Sequence, residues 1–291
     1  MPKISKASLV KPKIGAHVSS AVSLDLSIKR AKDMGAECTQ IFISPPRQWV
    51  KPTLTSQQIE NYKKAVEESR IGPNFIHGTY LINLGAENKD HLEKSIDWLI
   101  YALKMADELS ITGVIFHIGS HKDLGFEKVL PQVILSIKKV LQNSPSKPLL
   151  ILELSAGSGG AIGKNFQELG IILKQVNNDQ LKICLDLQHA YAAGYDVKTE
   201  EGLNNALEEF DREVGLKNLV AIHANDSKTE INSHKDRHEN IGEGLISPDG
   251  FKNIINNPTL QYLPFILEVP GFENKGPDAK NISFLKSLVK A

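Results

Sequence analysis

Short apolar runs alternate with segments of helical periodicity along the whole chain. The apolar runs predict strands at residues 14–18, 38–43, 73–77, 113–117, 149–154, 181–186, 219–223 and 265–268. The periodic segments predict helices at residues 23–34, 56–69, 89–109, 126–141, 166–176, 200–214, 249–255 and 281–289. Strands that alternate with helices pair in parallel, and eight such units close into a (β/α)8 TIM barrel. We therefore predict a single α/β domain at residues 14–291, preceded by an N-terminal extension at residues 1–13.

Composition narrows the class of protein. The chain has 291 residues, of which 41% are apolar and 23% charged, with a formal net charge of zero. A globally basic nucleic-acid surface is therefore excluded, and DNA binding would need a local basic rim. Cys38 and Cys184 lie in apolar runs, so we expect buried free thiols. The sequence shows neither a signal peptide nor an apolar run of about 18 residues, so we expect a cytoplasmic monomer without membrane contact.

Histidines and carboxylates mark the ends of most predicted strands. In a barrel the carboxyl ends of all strands point to one face, where active sites lie. Buried carboxylates repel one another at high cost unless a cation neutralises them. The sequence therefore predicts a metal site at this face. The strand-end residues are His17, His77, His117, Glu153, Asp186, His223 and Glu268.

Two short spacings supply further ligand types. Asp236 and His238 are separated by one residue, so in an extended segment their side chains point the same way. Asp186 and His189 form a second carboxylate–imidazole pair. Both combinations suit zinc or another borderline divalent ion. A single strand-end histidine is more often a hydrogen-bonded structural residue, so for His17 both roles stay open.

Three other histidines lie in polar helical or loop contexts. They are His91, His121 and His234. For these we predict structural side chains exposed to solvent, with no role as metal ligands.

Seven motifs follow the strand ends along the chain. They are Ile-Gly-Ala-His-Val-Ser at 14–19, His-Gly-Thr-Tyr-Leu-Ile-Asn-Leu at 77–84, Phe-His-Ile-Gly-Ser-His at 116–121, Cys-Leu-Asp-Leu-Gln-His-Ala-Tyr-Ala-Ala-Gly-Tyr-Asp at 184–196, His-Ala-Asn-Asp-Ser-Lys at 223–228, Asp-Arg-His-Glu-Asn-Ile-Gly-Glu-Gly at 236–244 and Leu-Glu-Val-Pro at 267–270. Together they resemble the endonuclease IV family, the zinc-dependent apurinic/apyrimidinic-site endonucleases of base-excision repair. The resemblance extends from about residue 14 to the C-terminus. The sequence departs from the family pattern at Leu154 and at the Leu187–Gln188 pair, which are not ligands but neighbour residues that orient them.

The resemblance implies a deoxyribonuclease IV-type activity with three zinc ions, for which Mn²⁺ is an alternative. Cleavage 5′ to an abasic site would leave a 3′-hydroxyl and a 5′-deoxyribose phosphate, and 3′-blocking groups would also be removed. Glu153 would bridge two metals, and Glu268 would orient or deprotonate the attacking water. The implied ligand sets are His77, His117 and Glu153; Glu153, Asp186, His223 and Glu268; and His189, Asp236 and His238.

The partner implied by the resemblance is double-stranded DNA with an abasic site. Residues matching Arg47 and Tyr80 enter the minor groove at the lesion, and Trp49 belongs to the same surface. Inserting side chains costs least where a base is already missing, so it selects abasic sites. The phosphate contacts would come from Lys51, Lys228, Lys235 and Arg237.

Two other classes of function stay open. A divalent-metal sugar isomerase or epimerase uses Glu, Asp and His on the same barrel, but it would need two metals at most. It leaves His189 and the Asp236–His238 pair unexplained. A catalytically silent nucleic-acid-binding or zinc-storage protein would keep the ligands without turnover.

Overall fold

The computed structural model describes residues 11–290. Residues 1–10 of the predicted extension and Ala291 lie outside the described residues. The first strand begins at Lys13, within the predicted extension. No helix among the described residues has the length and apolar character needed to cross a membrane.

Eight parallel strands form a closed barrel, as predicted. They are β1 (Lys13–His17), β2 (Thr39–Ile41), β3 (Asn74–His77), β4 (Gly113–Phe116), β5 (Leu149–Glu153), β6 (Leu181–Asp186), β7 (Leu219–His223) and β10 (Pro264–Leu267). Around the barrel they follow the order β1-β10-β7-β6-β5-β4-β3-β2. All of their boundaries lie within two residues of the predicted ones.

The helices pack around the barrel and agree equally well with the predicted segments. The side chain of Thr55 caps the second helix in a reciprocal capping box with Gln58. The long third helix buries Ile96, Leu99 and Leu103 against the barrel, and each such burial contributes about 1.5–3 kcal/mol. The helices are α1 (Leu24–Asp33), α2 (Ser56–Ser69), α3 (Lys89–Glu108), α4 (Phe126–Gln142), α5 (Phe166–Val176), α7 (Glu200–Glu213), α8 (Ser247–Ile255) and α9 (Ala279–Ser287).

Besides two 3-10 helices (Ser158–Gly160 and Leu216–Asn218), two further elements were not predicted. A short helix, α6 (Leu187–Ala193), follows β6 directly. A small antiparallel hairpin pairs β8 (Asp226–Ser227) with β9 (His238–Glu239). Both lie at the carboxyl ends of the strands, and each carries a predicted metal ligand.

The barrel interior is filled by apolar side chains below the strand ends. Cys38 and Cys184 belong to this cluster as buried free thiols, which confirms the prediction that they are unpaired. Gly15 lets β1 approach closely, because a Cβ there would lie 1.9 Å from the Cys38 carbonyl oxygen. The other members of the interior cluster are Phe75, Ile115, Ile151, Ala221 and Ile266. These interior side chains form an apolar floor beneath the strand ends, and they hold the polar residues above it in place.

Candidate metal centre

A cleft of about 1140 Å³ opens at the carboxyl ends of the barrel strands. Its lining includes His17, His77, His117, His189 and Glu268, which are remote in sequence. Parallel pairing brings them together, since Asp186 and His223, for example, are register partners on β6 and β7. The predicted convergence of strand-end residues at one face is therefore present.

Glu153 lies at the centre of the cluster and is fully buried. Its Oε2 is 3.1 Å from His77 Nε2 and 3.5 Å from His117 Nε2. Its Oε1 is 3.0 Å from His223 Nδ1. The two carboxylate oxygens therefore face different imidazoles, the arrangement that a ligand shared between two metals requires.

A second group of ligand atoms surrounds His223. Its Nδ1 lies 3.3 Å from Glu268 Oε2 and 3.7 Å from Asp186 Oδ2, in addition to its contact with Glu153. Asp186 is fully buried, and the Glu268 side chain is only 16% exposed. Three carboxylates thus face one imidazole nitrogen, a set of atoms that suits a divalent cation.

The third group combines His189 on α6 with His238 on β9. Asp236 contacts both, with Oδ2 3.4 Å from His189 Nε2 and Oδ1 3.3 Å from His238 Nε2. Asp186 also approaches this group, at 3.7 Å from His238 Nε2. Asp186 therefore lies between the second and third groups.

The two unpredicted elements position the third group. Asp186 caps α6, since its Oδ1 accepts a hydrogen bond from the His189 backbone N–H. The segment that follows the hairpin is fixed by the buried Asp226 on β8, whose carboxylate accepts backbone hydrogen bonds from Ser227, Gly242, Gly244 and Ile246. The two carboxylates thus set the directions of His189 and His238 through backbone contacts.

Hydrogen bonds fix the tautomers of several imidazoles. His77 Nδ1 donates to the Gly78 carbonyl at 2.8 Å, and His189 Nδ1 donates to the Leu154 carbonyl at 2.8 Å. His223 Nε2 donates to Gln40 Oε1 at 2.9 Å. In each case the remaining nitrogen faces the carboxylates, as in metal sites where a neighbouring acceptor orients the ligand.

Two observations show that the residues fit divalent cations. His189 Nε2 and His238 Nε2 are buried without a hydrogen-bond partner. Within residues 11–290, the ion pairs of Glu153, Asp186 and Glu268 involve histidines, and none involves a lysine or arginine. Burying carboxylates and bare imidazole nitrogens in this way is costly unless cations compensate.

The electrostatic field of the cluster shifts many of its pKa values. Burial raises the pKa of the Glu153 carboxyl, but His117, His223 and His77 together hold that pKa well below its usual range. Burial also opposes ionisation of Asp236, yet His189 and His238 lower the pKa of Asp236 to about 2. Burial lowers the pKa of His189, but the carboxylates around it raise that pKa to about 10. His189 and Asp236 thus pair as ions in the absence of metal, whereas burial lowers the pKa of His117 and of His17.

The remaining histidines correct one part of the sequence interpretation. His91 and His121 are half-buried and hydrogen-bonded, with His91 Nε2 donating to the Leu81 carbonyl at 2.7 Å. The prediction that these two side chains are solvated is therefore wrong, because loop backbone folds over them. His234 is exposed as predicted. His17 lines the cleft and contacts Glu268 at 3.2 Å.

Of the five predicted DNA-contact residues, Tyr80 lines the cleft. Arg47, Lys228 and Arg237 are exposed, and Tyr80 is 57% exposed with its ring edge-to-face on Phe42. Trp49 is half-buried and packs edge-to-face on His91. Lys228 also pairs with Glu239 at 3.7 Å. The DNA-binding roles of all five residues stay predictions.

Two buried amides in the centre were missed from the sequence. Asn225 donates to Asp186 Oδ2 at 2.7 Å and accepts from the Glu268 backbone N–H at 2.7 Å. Gln40 contacts both His223 and Glu268. The one signal in the sequence was an amide directly beside an apolar strand residue, which is too common to be informative alone.

Comparison with known proteins decides the family. The sequence profile described as xylose isomerase-like TIM barrel matches residues 28–288. A probable endonuclease 4 from Aquifex aeolicus (strain VF5) is 38% identical over 275 residues, covering 94% of this chain and 96% of that protein. This chain belongs to the endonuclease IV family. The resemblance drawn from the motifs is confirmed, and so is the prediction of an endonuclease.

Solved structures of two kinds resemble this chain. The crystal structure of endonuclease IV from Thermus thermophilus has a TM-score of 0.85 and 33% identity, covering 95% of this chain and 98% of that one. A D-tagatose 3-epimerase-like protein has a TM-score of 0.73 and 19% identity, covering 95% of this chain and 96% of that one. The second likeness shows a shared fold alone, so it gives no support to the sugar epimerase alternative.

Proposed function

We propose that this endonuclease IV family member is a DNA-repair enzyme that cleaves the phosphodiester 5′ to an abasic site in duplex DNA. The products would be a 3′-hydroxyl and a 5′-deoxyribose phosphate, and the same centre would remove 3′-blocking groups. The observation that carries this proposal is the third group of ligand atoms, His189, Asp236 and His238. A sugar epimerase site has no use for that group.

We assign nine residues to three zinc sites. His77, His117 and Glu153 would hold the first, and Glu153, Asp186, His223 and Glu268 the second. His189, Asp236 and His238 would hold the third. The compact group of ligand atoms at the third site has Asp186 in place of Asp236. When bound, such ions neutralise phosphate charge and activate water for attack on phosphorus. Mn²⁺ is an alternative occupant of the same oxygen and nitrogen ligands.

The protein's own groups would divide the remaining tasks. Glu153 is buried and contacts imidazoles on both oxygens, so it holds the first two sites at a fixed separation. Glu268 lies at the cleft wall, 16% exposed, where its carboxylate can orient a water and accept its proton. The apolar floor below them excludes bulk water from that side.

Recognition of the lesion would use the rim of the cleft. Tyr80 is exposed and lines the cleft, and Arg47 is exposed directly after Pro45 and Pro46, which also line it. Both side chains would enter the minor groove and fill the space left by the missing base. Trp49 would support this surface from its half-buried position. Lys228, Arg237, Lys51 and Lys235 are exposed and would supply the phosphate contacts.

The proposal is tested with a duplex that carries one abasic site and a label on each end of the damaged strand. Incision should yield a 3′ end that a polymerase extends directly, and chelation should abolish it. An intact duplex of the same sequence is the control. A product with an unsaturated sugar on its 3′ end, or incision that persists in chelator, would refute the proposed chemistry.

A further inference from the structure

Gln40 occupies a position that neither the strand-end pattern nor the family motifs single out. It lies on β2, is fully buried, and reaches the wall of the metal centre. Its Oε1 accepts from His223 Nε2 at 2.9 Å, and its Nε2 donates to Glu268 Oε1 at 2.5 Å. One amide thus connects two residues that we assign to the second metal site.

The orientation of this amide is determined by its neighbours. A carboxylate oxygen accepts only, so the NH₂ group must face Glu268. The carbonyl oxygen then faces His223 and needs a proton on His223 Nε2. Rotating the amide by half a turn would place its oxygen against the carboxylate and lose the hydrogen bond to Glu268, so one arrangement is favoured.

This arrangement selects the ligand nitrogen of His223. With the proton on Nε2, the lone pair of the ring is on Nδ1, which faces Glu153, Glu268 and Asp186. The same amide holds Glu268 Oε1, which leaves Oε2 directed at His223 Nδ1. On the cleft side, His17 Nδ1 lies 3.0 Å from Gln40 Nε2.

We infer that Gln40 is a positioning residue of the metal centre: its amide fixes the tautomer of His223 and the direction of the Glu268 carboxylate. The inference rests on the proposed metal-dependent function. It makes the second site depend on Gln40, whereas the first site, formed by His77, His117 and Glu153, has no contact with this amide among the hydrogen bonds of the described residues.

Two substitutions separate positioning from packing. Gln40→Met keeps the side-chain volume but removes donor and acceptor, whereas Gln40→Ala opens a polar space that a water can enter to replace both hydrogen bonds. Positioning predicts that methionine is the more harmful change. Ordinary core packing predicts the opposite, because alanine leaves a cavity.

The matched control is Thr39→Val on the same strand. Thr39 is also fully buried and donates to Asn74 Oδ1 at 2.7 Å, but alternation along the strand directs it away from the centre. The substitution removes a buried hydrogen bond without touching the ligands, so metal binding should not change.

The experiment measures zinc affinity of the metal-free full chain by competition with a chromophoric chelator. In Gln40→Met one zinc equivalent should bind about 10–100-fold more weakly, as is usual when an orienting partner is lost. Gln40→Ala should lose less, and Thr39→Val nothing. When cobalt replaces zinc, the absorption bands of the weakened equivalent should differ between Gln40→Met and the parent chain, and those of the other equivalents should not. Circular dichroism checks that each variant is folded.

Three results would overturn the inference. They are unchanged zinc affinity in Gln40→Met, a greater loss in Gln40→Ala than in Gln40→Met, and an equal loss in Thr39→Val. If Gln40→Met does not fold, the comparison of Gln40→Ala with Thr39→Val decides, because only Gln40→Ala should weaken the binding of one zinc equivalent. A parent chain that binds zinc but leaves abasic DNA intact would refute the proposed function and leave the role of Gln40 standing.

Discussion

At the scale of single residues, the account depends most on Glu153, the carboxylate that faces two groups of ligands. Glu153→Gln should keep the fold and reduce turnover by about 100-fold or more, since partners outside the ligand shell already contribute 10–100-fold. An amide cannot supply the negative charge that two cations share. The measurement is single-turnover incision of abasic duplex, together with metal content.

Glu168→Gln is the control for this substitution. Glu168 is another buried glutamate, and it accepts from the Gly163 backbone N–H at 2.9 Å, with no contact to the metal centre among the described residues. Its variant should incise at nearly the parental rate. Near-parental incision by Glu153→Gln would show that another residue bridges the two metals.

The pKa shifts of the imidazoles predict that zinc binding releases protons. Burial lowers the pKa of His77, His189 and His223. The carboxylates around His77 and His189, and Cys184 together with the carboxylates around His223, nevertheless raise all three above the usual value, and the pKa of His189 reaches about 10. At pH 7 the His189 ring is therefore protonated without metal and must lose a proton to become a ligand. Zinc affinity should rise with pH.

Titration calorimetry in buffers of different ionisation enthalpy measures this release. We expect proton release on zinc binding at pH 7, and less release at a pH above the pKa of His189, where that ring has already lost its proton. Binding without proton release would show that the rings are neutral before metal arrives.

At the scale of elements, the hairpin of β8 and β9 determines where His238 points. The Asp226 carboxylate accepts four backbone hydrogen bonds beneath it. Asp226→Asn turns two of these acceptor positions into donors, which leaves buried N–H groups without partners. Such groups cost about 1–3 kcal/mol.

Urea unfolding of metal-free Asp226→Asn should show that loss of free energy, and zinc binding at the third site should weaken with it. Asp211→Asn is a suitable control, because Asp211 is exposed and accepts one backbone hydrogen bond from Leu216. A change below about 0.5 kcal/mol in Asp226→Asn would mean that the loop holds its shape by other contacts.

The long elements were predictable because their apolar period is repeated over several turns or strands. The barrel strands and outer helices were therefore placed to within two residues. Helix α6 was not predicted, because it has only seven residues and a single local cap from Asp186. The β8–β9 hairpin was not predicted either, because hydrogen bonds from residues remote in sequence to Asp226 stabilise it more than local pattern does. The roles of Gln40 and Asn225 could not be predicted from the sequence either, because they depend on hydrogen-bond partners remote in sequence.

At the scale of the whole molecule, a chain with zero net charge must find DNA through local features. Arg47→Ala should weaken binding to abasic duplex more than binding to intact duplex, because insertion at the lesion is lost. Lys228→Ala should weaken both about equally and reduce the slope of log affinity against log salt by about one unit. Fluorescence anisotropy over a salt series measures both effects.

Zinc content checks that neither variant disturbs the centre. Equal losses on abasic and intact duplex for Arg47→Ala would show that its guanidinium contacts only phosphate. Lesion recognition would then have to be assigned to Tyr80, whose ring packs on Phe42 and lies 6.2 Å from His77 between ring centroids.

The central claim is that the nine converging ligands form a metal centre that both stabilises the fold and incises abasic DNA. Ions that bind only the folded chain stabilise it by mass action, so stripping them should lower the melting temperature. The decisive measurement adds zinc stepwise to the stripped chain and follows melting temperature and incision together. Both should recover as the three groups of ligand atoms fill. A stripped chain that melts at the parental temperature and still incises abasic duplex would contradict the account.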